Sequence, residues 1–321
     1  MAEPVEATSE VEDMSRVSIQ NITKTYEKGT VTALDDVSLE VESGELFGLI
    51  GPDGAGKTTL FRILTTLLKP DEGKAEVNGF DVVDDFWEIR KIVGYMPGKF
   101  SLYQDLSIIE NLNFFATVFE TTVEENYHLI KDIYVQIEPF KDRLAGALSG
   151  GMKQKLALCC ALIHEPKVLF LDEPTTGVDP VSRKEFWDML DLLKARGITI
   201  IVSTPYMDEA SRCDRIALMQ DGKIMEIDRL ENILEKHRQP TYSVKGTDRH
   251  RLIQDIRSFD QTDSCFAFGE DNHVVFKDSP ATDSLLHFLG EKGHMNLTVH
   301  EVMPDIEDVF IKLMLEQENH G

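Results

Sequence analysis

The octapeptide Gly51-Pro-Asp-Gly-Ala-Gly-Lys-Thr58 constrains this chain more than any other stretch. It fits G-x-x-x-x-G-K-[ST] and stands between an apolar run, Glu45-Leu-Phe-Gly-Leu-Ile50, and a helical pattern from about Lys57 to Leu68. Gly51, Gly54 and Gly56 let backbone N–H groups turn inward around an anion, and the following helix offers its positive N-terminus to the same point. A lysine placed like Lys57 reaches the β- and γ-phosphates of ATP, and a hydroxyl placed like that of Thr58 binds Mg²⁺. Pro52, Asp53, Ala55 and Thr59 complete the loop. A strand, a glycine loop and a helix in this order imply an α/β domain.

About 115 residues beyond Lys57, Leu169-Phe-Leu-Asp-Glu173 is an apolar strand ending in two acids. Strand-end acids are common. Beside a phosphate loop, however, Asp172 is placed to hold Mg²⁺, directly or through water, and Glu173 to polarise the attacking water. The continuous apolar runs Val168–Leu171 and Ile198–Val202 read as central parallel strands buried on both faces. A helix over about 181–196 joins them. Residues 16–42 alternate apolar and polar, which predicts an antiparallel flank. Ile216–Met219 and Lys223–Ile227 around Asp221-Gly222 read as a closing hairpin. The pattern over about 105–145 is helical, and another helix runs from about Gly151 to His164. After a polar stretch at 235–241, read as a linker, residues 242–315 suggest strand, helix, strand, strand, helix, strand, helix.

The predicted organisation is therefore a disordered acidic leader (1–15), an ATPase domain (16–235) and a small C-terminal α+β accessory domain (242–321). A length of 321 residues suits two domains. The leader carries five acids and no base over residues 1–14, the reverse of a targeting sequence. With 57 acidic against 33 basic residues the formal net charge is −24, which disfavours nucleic acid as a partner. The four cysteines form no CxxC pair and show no metal spacing, which fits a reducing, intracellular setting. No run of about 18 apolar residues is present, so a membrane crossing would have to come from another chain.

Leu148-Ser-Gly-Gly-Met152-Lys-Gln154 adds a second anion-binding pattern, a serine hydroxyl and glycine N–H groups at a helix N-terminus. Ser149 as a plain helix cap is the alternative. The heptapeptide resembles the LSGGQ signature of ABC ATPases, with Met152 at its fifth position. The resemblance covers about residues 16–235. It implies that Tyr26 stacks on adenine and that Gly177-Val-Asp179-Pro180 is the D-loop, with Asp179 crossing to a partner subunit. The pattern from Tyr95 to Ser107, the run from Leu148 to Pro180, STPYMDEA and Pro304–Phe310 are similar to bacterial ABC-2 or multidrug-type exporters.

In such proteins the phosphate loop of one subunit faces the signature of another. The resemblance thus implies a second ABC ATPase domain, a separate transmembrane permease subunit, and a peripheral position on the cytoplasmic face of the inner membrane. It also assigns contact with the permease to the aromatic segment Phe100, Leu102 and Tyr103; local packing is the alternative. Two positions depart from the family. Gly98 stands where a glutamine is expected, and Pro205 where a histidine is expected. Neither side chain can donate to a γ-phosphate, so a weakened site is expected. Pro205 suits the first turn of a helix beginning at Tyr206. A regulatory nucleotide-binding module with little turnover stays open as the alternative. A translation-type or coiled-coil ABC protein is disfavoured by the single phosphate loop and the short gap from Lys57 to Ser149.

Overall fold

A computed structural model describes residues 17–277 and 279–320; the leader expected over 1–15 lies outside them. The chain divides into two units, one ending at Arg229 and the other beginning at Leu230. In the first, β1 (Val17–Tyr26) pairs antiparallel with β2 (Val31–Val41), Val17 opposite Val41. The apolar run β3 (Leu46–Ile50) leads through the glycine loop into α1 (Lys57–Leu64). Strands β4 (Glu72–Val77) and β5 (Phe80–Asp81) extend the flank into a four-stranded sheet, order β2-β1-β4-β5. There follow α2 (Phe86–Ile92), β6 (Val93–Met96), α3 (Ile108–Val118), α4 (Tyr127–Tyr134) and α5 (Gly150–Leu162). The unit closes with β7 (Val168–Asp172), α6 (Pro180–Ala195), β8 (Thr199–Thr204), β9 (Arg215–Gln220) and β10 (Lys223–Asp228).

The central sheet has the order β10-β9-β3-β8-β7-β6. Its neighbours are parallel except for the β9–β10 hairpin. Alternate side chains of its inner strands enter two different cores, as continuous apolar runs require. Leu169, Leu171, Ile200 and Val202 join the helices α3 to α6, while Phe170 and Ile201 join α1 and the antiparallel flank. Phe61 of α1 meets Phe170 edge-on, centroids 5.5 Å apart.

Three boundaries differ from expectation. Helix α1 stops at Leu64, not Leu68. The Thr65 hydroxyl donates back to the Phe61 carbonyl at 2.7 Å, and Thr66 takes φ +61, which ends the helix. The helical pattern over 105–145 is two helices, broken where Glu120 adopts φ +57. Ser107 starts the first of these with a reciprocal capping box to Glu110.

The third difference opens the second unit. Residues 230–236 form α7 (Leu230–Lys236), which buries Ile233 and packs against the final helix, so the division falls before it and not at 235–241. Then come β11 (Thr241–Lys245), α8 (Arg249–Arg257), β12 (Thr262–Phe268), β13 (Asp271–Phe276), α9 (Thr282–Glu291), β14 (Thr298–Val302) and α10 (Ile306–His320). The strands form an antiparallel sheet, order β12-β13-β11-β14. A β-α-β-β-α-β sequence with this order is the ferredoxin-like arrangement. Its core joins Val244, Leu252, Ile256, Val274, Leu285 and Leu289.

Candidate nucleotide site

Four segments leave the C-terminal ends of adjacent strands. The glycine loop follows β3, Pro205 follows β8, Asp172 ends β7 and Gly98 lies just past β6. In an open α/β sheet this edge is where ligands bind. The loop tolerates only glycine at its two closest approaches. A Cβ at Gly51 would lie 2.1 Å from the Met219 carbonyl oxygen, and one at Gly56, with φ +107, would lie 2.4 Å from that of Ala33. Gly54 differs from both. It lies at the exposed tip beside Asp53, with open space where a Cβ would stand, and its φ of +85 alone favours glycine there. Ala55, by contrast, is buried. Gly56 also caps α1, directing the N–H groups of that helix into the loop.

Lys57 is buried, and its Nζ donates to the carbonyls of Gly51 at 2.7 Å and Pro52 at 2.9 Å. The same amine lies 3.5 Å from Glu173 Oε1. Thr58 Oγ1 donates to Asp172, 2.9 Å from Oδ2 and 3.1 Å from Oδ1. Ser203 Oγ donates to Asp172 Oδ1 at 2.6 Å. The N–H of Glu173 donates to the carbonyl of Ser203 at 3.0 Å and to its Oγ at 3.1 Å. Glu173 adopts φ +49, a left-handed conformation that is costly outside glycine and persists where its surroundings hold it. The Thr176 hydroxyl completes the set, 3.5 Å from Glu173 Oε2. Burial, and next the charge of Asp172, push the Tyr95 hydroxyl up to about 12, so a neutral phenol lies near the acids.

These residues fit MgATP. The loop is a backbone cradle shaped for an anion. Thr58 and Asp172 present hard oxygen donors side by side, as Mg²⁺ prefers. Tyr26 ends β1 with its hydroxyl 3.5 Å from Thr59 Oγ1, so its ring lies beside the helix that follows the loop.

The two departing positions are inside this site. A Cβ at Gly98 would lie 3.1 Å from the Asp172 carbonyl oxygen and 3.8 Å from its Oδ2. Pro205 follows Thr204, whose carbonyl accepts the N–H of Gly51 at 3.2 Å. Pro205 is not in the first turn of a helix, contrary to expectation. Tyr206 stays extended (φ −90, ψ 113) and a 3₁₀ turn, Met207–Arg212, begins after it. The tighter winding places residues three apart on one side, so Tyr206 and Glu209 both meet Arg183.

The signature residues lie elsewhere. Ser149 caps α5, its hydroxyl accepting the Met152 N–H at 3.4 Å, while Ser149 and Gly150 face solvent and Leu148 is buried. A Cβ at Gly151 would meet Ser182 Oγ at 2.7 Å, so the start of α5 packs on the start of α6. Asp179 caps α6, accepting from Ser182 at 3.0 Å and Val181 at 3.1 Å. Among the described residues no hydrogen bond or ion pair joins Leu148–Met152 to Lys57, Thr58, Asp172 or Glu173.

Sequence reasoning missed two residues. Ser203 bridges both acids, and Glu209 is a buried carboxylate that accepts from Thr175 and Thr204. Neither sits in a motif whose spacing announces a role. The available signal was that both lie within STPYMDEA, a stretch quoted for its family resemblance with no role attached to either residue.

The ABC transporter family matches residues 34–176. The chain is 36% identical over 302 residues to the "Probable multidrug ABC transporter ATP-binding protein YbhF" of Escherichia coli, covering 93% of this chain and 52% of that protein. It thus spans about half the length of that relative and of its Shigella flexneri counterpart. It is 34% identical to the Nod factor export ATP-binding protein I of Rhizobium sp. (strain N33), covering 94% of this chain and 98% of that one. Among solved structures, an ATP-binding subunit of an ABC transporter superposes with a TM-score of 0.62 at 27% identity, covering 68% of this chain and 92% of that one. A dimeric ATP-binding cassette in a post-hydrolysis state with ADP and Pi does so with a TM-score of 0.60 at 28% identity, covering 67% and 98%. With its phosphate loop, paired acids and signature on an α/β cassette, the chain belongs to the family of ABC transporter ATP-binding proteins.

Proposed function

We propose that this chain binds and hydrolyses ATP as the motor subunit of an ABC exporter. The observation that carries the reading is the constellation of Lys57, Thr58, Asp172 and Glu173, tied together through Ser203. Lys57 brings a charge to the phosphates. Glu173, held by its own N–H, orients the attacking water and takes its proton. Mg²⁺, when bound by Thr58 and Asp172, neutralises phosphate oxygens. Relatives named for multidrug and Nod factor export support export as the direction.

The signature Leu148, Ser149, Gly150, Gly151 and Met152 and the D-loop Asp179 would complete the site of a second ABC ATPase domain. The exposure of Ser149, Gly150 and Asp179 supports this, as does the dimer described for a solved cassette. Among the described residues no helix is long and apolar enough to cross a membrane. We assign the crossing to a separate permease and place this chain peripherally on the cytoplasmic face.

A groove of about 840 Å³ beside the site suits the permease contact. Its lining includes Leu67, Trp87, Arg90, Leu102, Phe119 and His164. Trp87 is 64% exposed and Tyr103 50%, the latter edge-on to Phe114 at 4.8 Å. Leu102, by contrast, is buried, and Phe100 packs on the core, so those two serve local packing as well. His164 stacks on Phe119 at 3.8 Å and donates from Nε2 to the Val93 carbonyl at 3.0 Å. Burial pushes its pKa down to about 4, against the pull of that carbonyl, so the groove wall is neutral there.

The test is MgATP turnover by the full chain with Glu173→Gln and Lys57→Ala beside it. Wild type should hydrolyse ATP, Glu173→Gln should hold ATP without turning it over, and Lys57→Ala should bind it poorly. A Glu173→Gln chain as fast as wild type would refute the assignment.

A further inference from the structure

Glu209 is 3% exposed, yet four side chains from three segments converge on it. Thr175 Oγ1 donates to Oε1 at 2.8 Å and Trp187 Nε1 to the same oxygen at 3.0 Å. Thr204 Oγ1 donates to Oε2 at 2.5 Å. The Arg183 guanidinium lies 3.6 Å from Oε1 and stacks on the Tyr206 ring at 4.1 Å. Removing a carboxylate from water is expensive, and a well-packed apolar side chain in such a place is often at least as stable. Stability alone is therefore a weak reason for an acid here.

What Glu209 joins gives a better one. Thr175 lies two residues past Glu173, in the loop that sets the carboxylate. Thr204 immediately precedes Pro205, and its carbonyl holds Gly51. Trp187 and Arg183 belong to α6, the helix capped by Asp179. The loop bearing the water-activating acid, the strand end beside the phosphate loop and the helix carrying Asp179 all close on one buried carboxylate. Neither Gly98 nor Pro205 offers a side-chain donor above the same site.

We propose that Glu209 is a positioning residue: it locks the Glu173 loop to the Asp179 helix, so that the state of the nucleotide site is felt by α6. The proposal rests on the nucleotide-site reading above. Its consequence for rate requires turnover, whereas its consequence for α6 requires only that nucleotide binds.

Trp87 and Trp187 are the two tryptophans of the chain, and Trp187 is in the network. In a full-length Trp87→Phe chain, MgATP should change Trp187 emission. Adding Glu209→Gln, which keeps size and removes charge, should abolish that change while a fluorescent ATP analogue still binds within about threefold. It should lower kcat by about tenfold to a hundredfold, the scale of a misplaced reacting group, with KM for MgATP little altered. Pro205→His in the same background should recover part of kcat, because it adds a donor at the end of β8; a purely structural defect would not respond. Should Glu209→Gln fail to fold, Thr175→Val removes one contact and should still lower kcat at unchanged KM. An unaltered kcat, or Trp187 emission indifferent to bound nucleotide in the Trp87→Phe chain, overturns the proposal. Absence of turnover in that chain with its emission response intact would instead sink the hydrolytic reading and leave the coupling to α6 standing.

Discussion

Ser203 Oγ donates a hydrogen bond to Asp172 and accepts one from the N–H of Glu173, so one hydroxyl sets the spacing of both acids. Losing a hydrogen bond to a charged group costs about 1.5–3 kcal/mol. Ser203→Ala should therefore melt earlier and need more Mg²⁺ for half-maximal turnover, while Ser203→Thr should stay near wild type. Identical melting and Mg²⁺ demand in the alanine variant would show that Thr58 alone orients Asp172. The degenerate positions make a second case. A histidine at 205 adds a donor just past the end of β8. A glutamine at 98 must displace that carbonyl by a few tenths of an ångström, because its Cβ arrives at 3.1 Å. Removing one preorganised donor costs on the order of 10²–10³ in rate. Pro205→His should recover part of that, and Gly98→Gln less. Steady-state rates of the two single variants and the double variant decide it; if wild type is already fast and none gains, other groups hold the γ-phosphate. Lys57, Thr58, Asp172 and Glu173 were legible from sequence because local spacing defines them. Ser203 and Glu209 were not, since their roles depend on which strand ends become neighbours.

Secondary elements were legible wherever a periodic apolar face was long enough. The strand and helix order from β11 to α10 follows directly from the pattern at 242–315, and the buried strands β7 and β8 from their uninterrupted apolar runs. Helix ends were harder. Thr65 and Thr66 stop α1 through a back-bonded hydroxyl and a left-handed residue, neither of which has a periodic signature. Helix α7 was hidden because it buries one large side chain, Ile233, and packs against α10, which begins only at Ile306. A chain ended after Arg229 should stay soluble and bind nucleotide. One ended after Pro240 keeps α7 without α10 and exposes Ile233, whose burial is worth about 1.5–3 kcal/mol. Comparing soluble yield and nucleotide affinity of the two truncations tests this. Failure of a folded 1–229 chain to bind ATP would show that the second unit contributes to the site.

At the scale of the molecule, the formal charge is −24, and the groove carries charge of both signs, Arg90 and Lys91 beside Glu120, with Lys91 paired to Glu88 at 2.9 Å. Trp87→Glu with Tyr103→Glu should release a membrane partner and spare nucleotide binding. Co-purification that survives both changes would place the contact elsewhere. Composition and length anticipated two domains, but the line between them depends on a helix pairing that only three dimensions reveal. The arrangement of the site along adjacent strand ends has a further consequence. Grip belongs to β3 and β7, fixed by backbone crowding around Gly51 and Gly56 and by Asp172 at the end of β7. Under the proposed function, tempo would depend partly on residues 98 and 205, which lie just beyond β6 and β8 and outside either strand. The two are not independent at 98, where any side chain presses on the Asp172 carbonyl. Under that reading, chains sharing this frame would differ in how long each nucleotide is kept, and a pair of unlike copies would divide holding from spending.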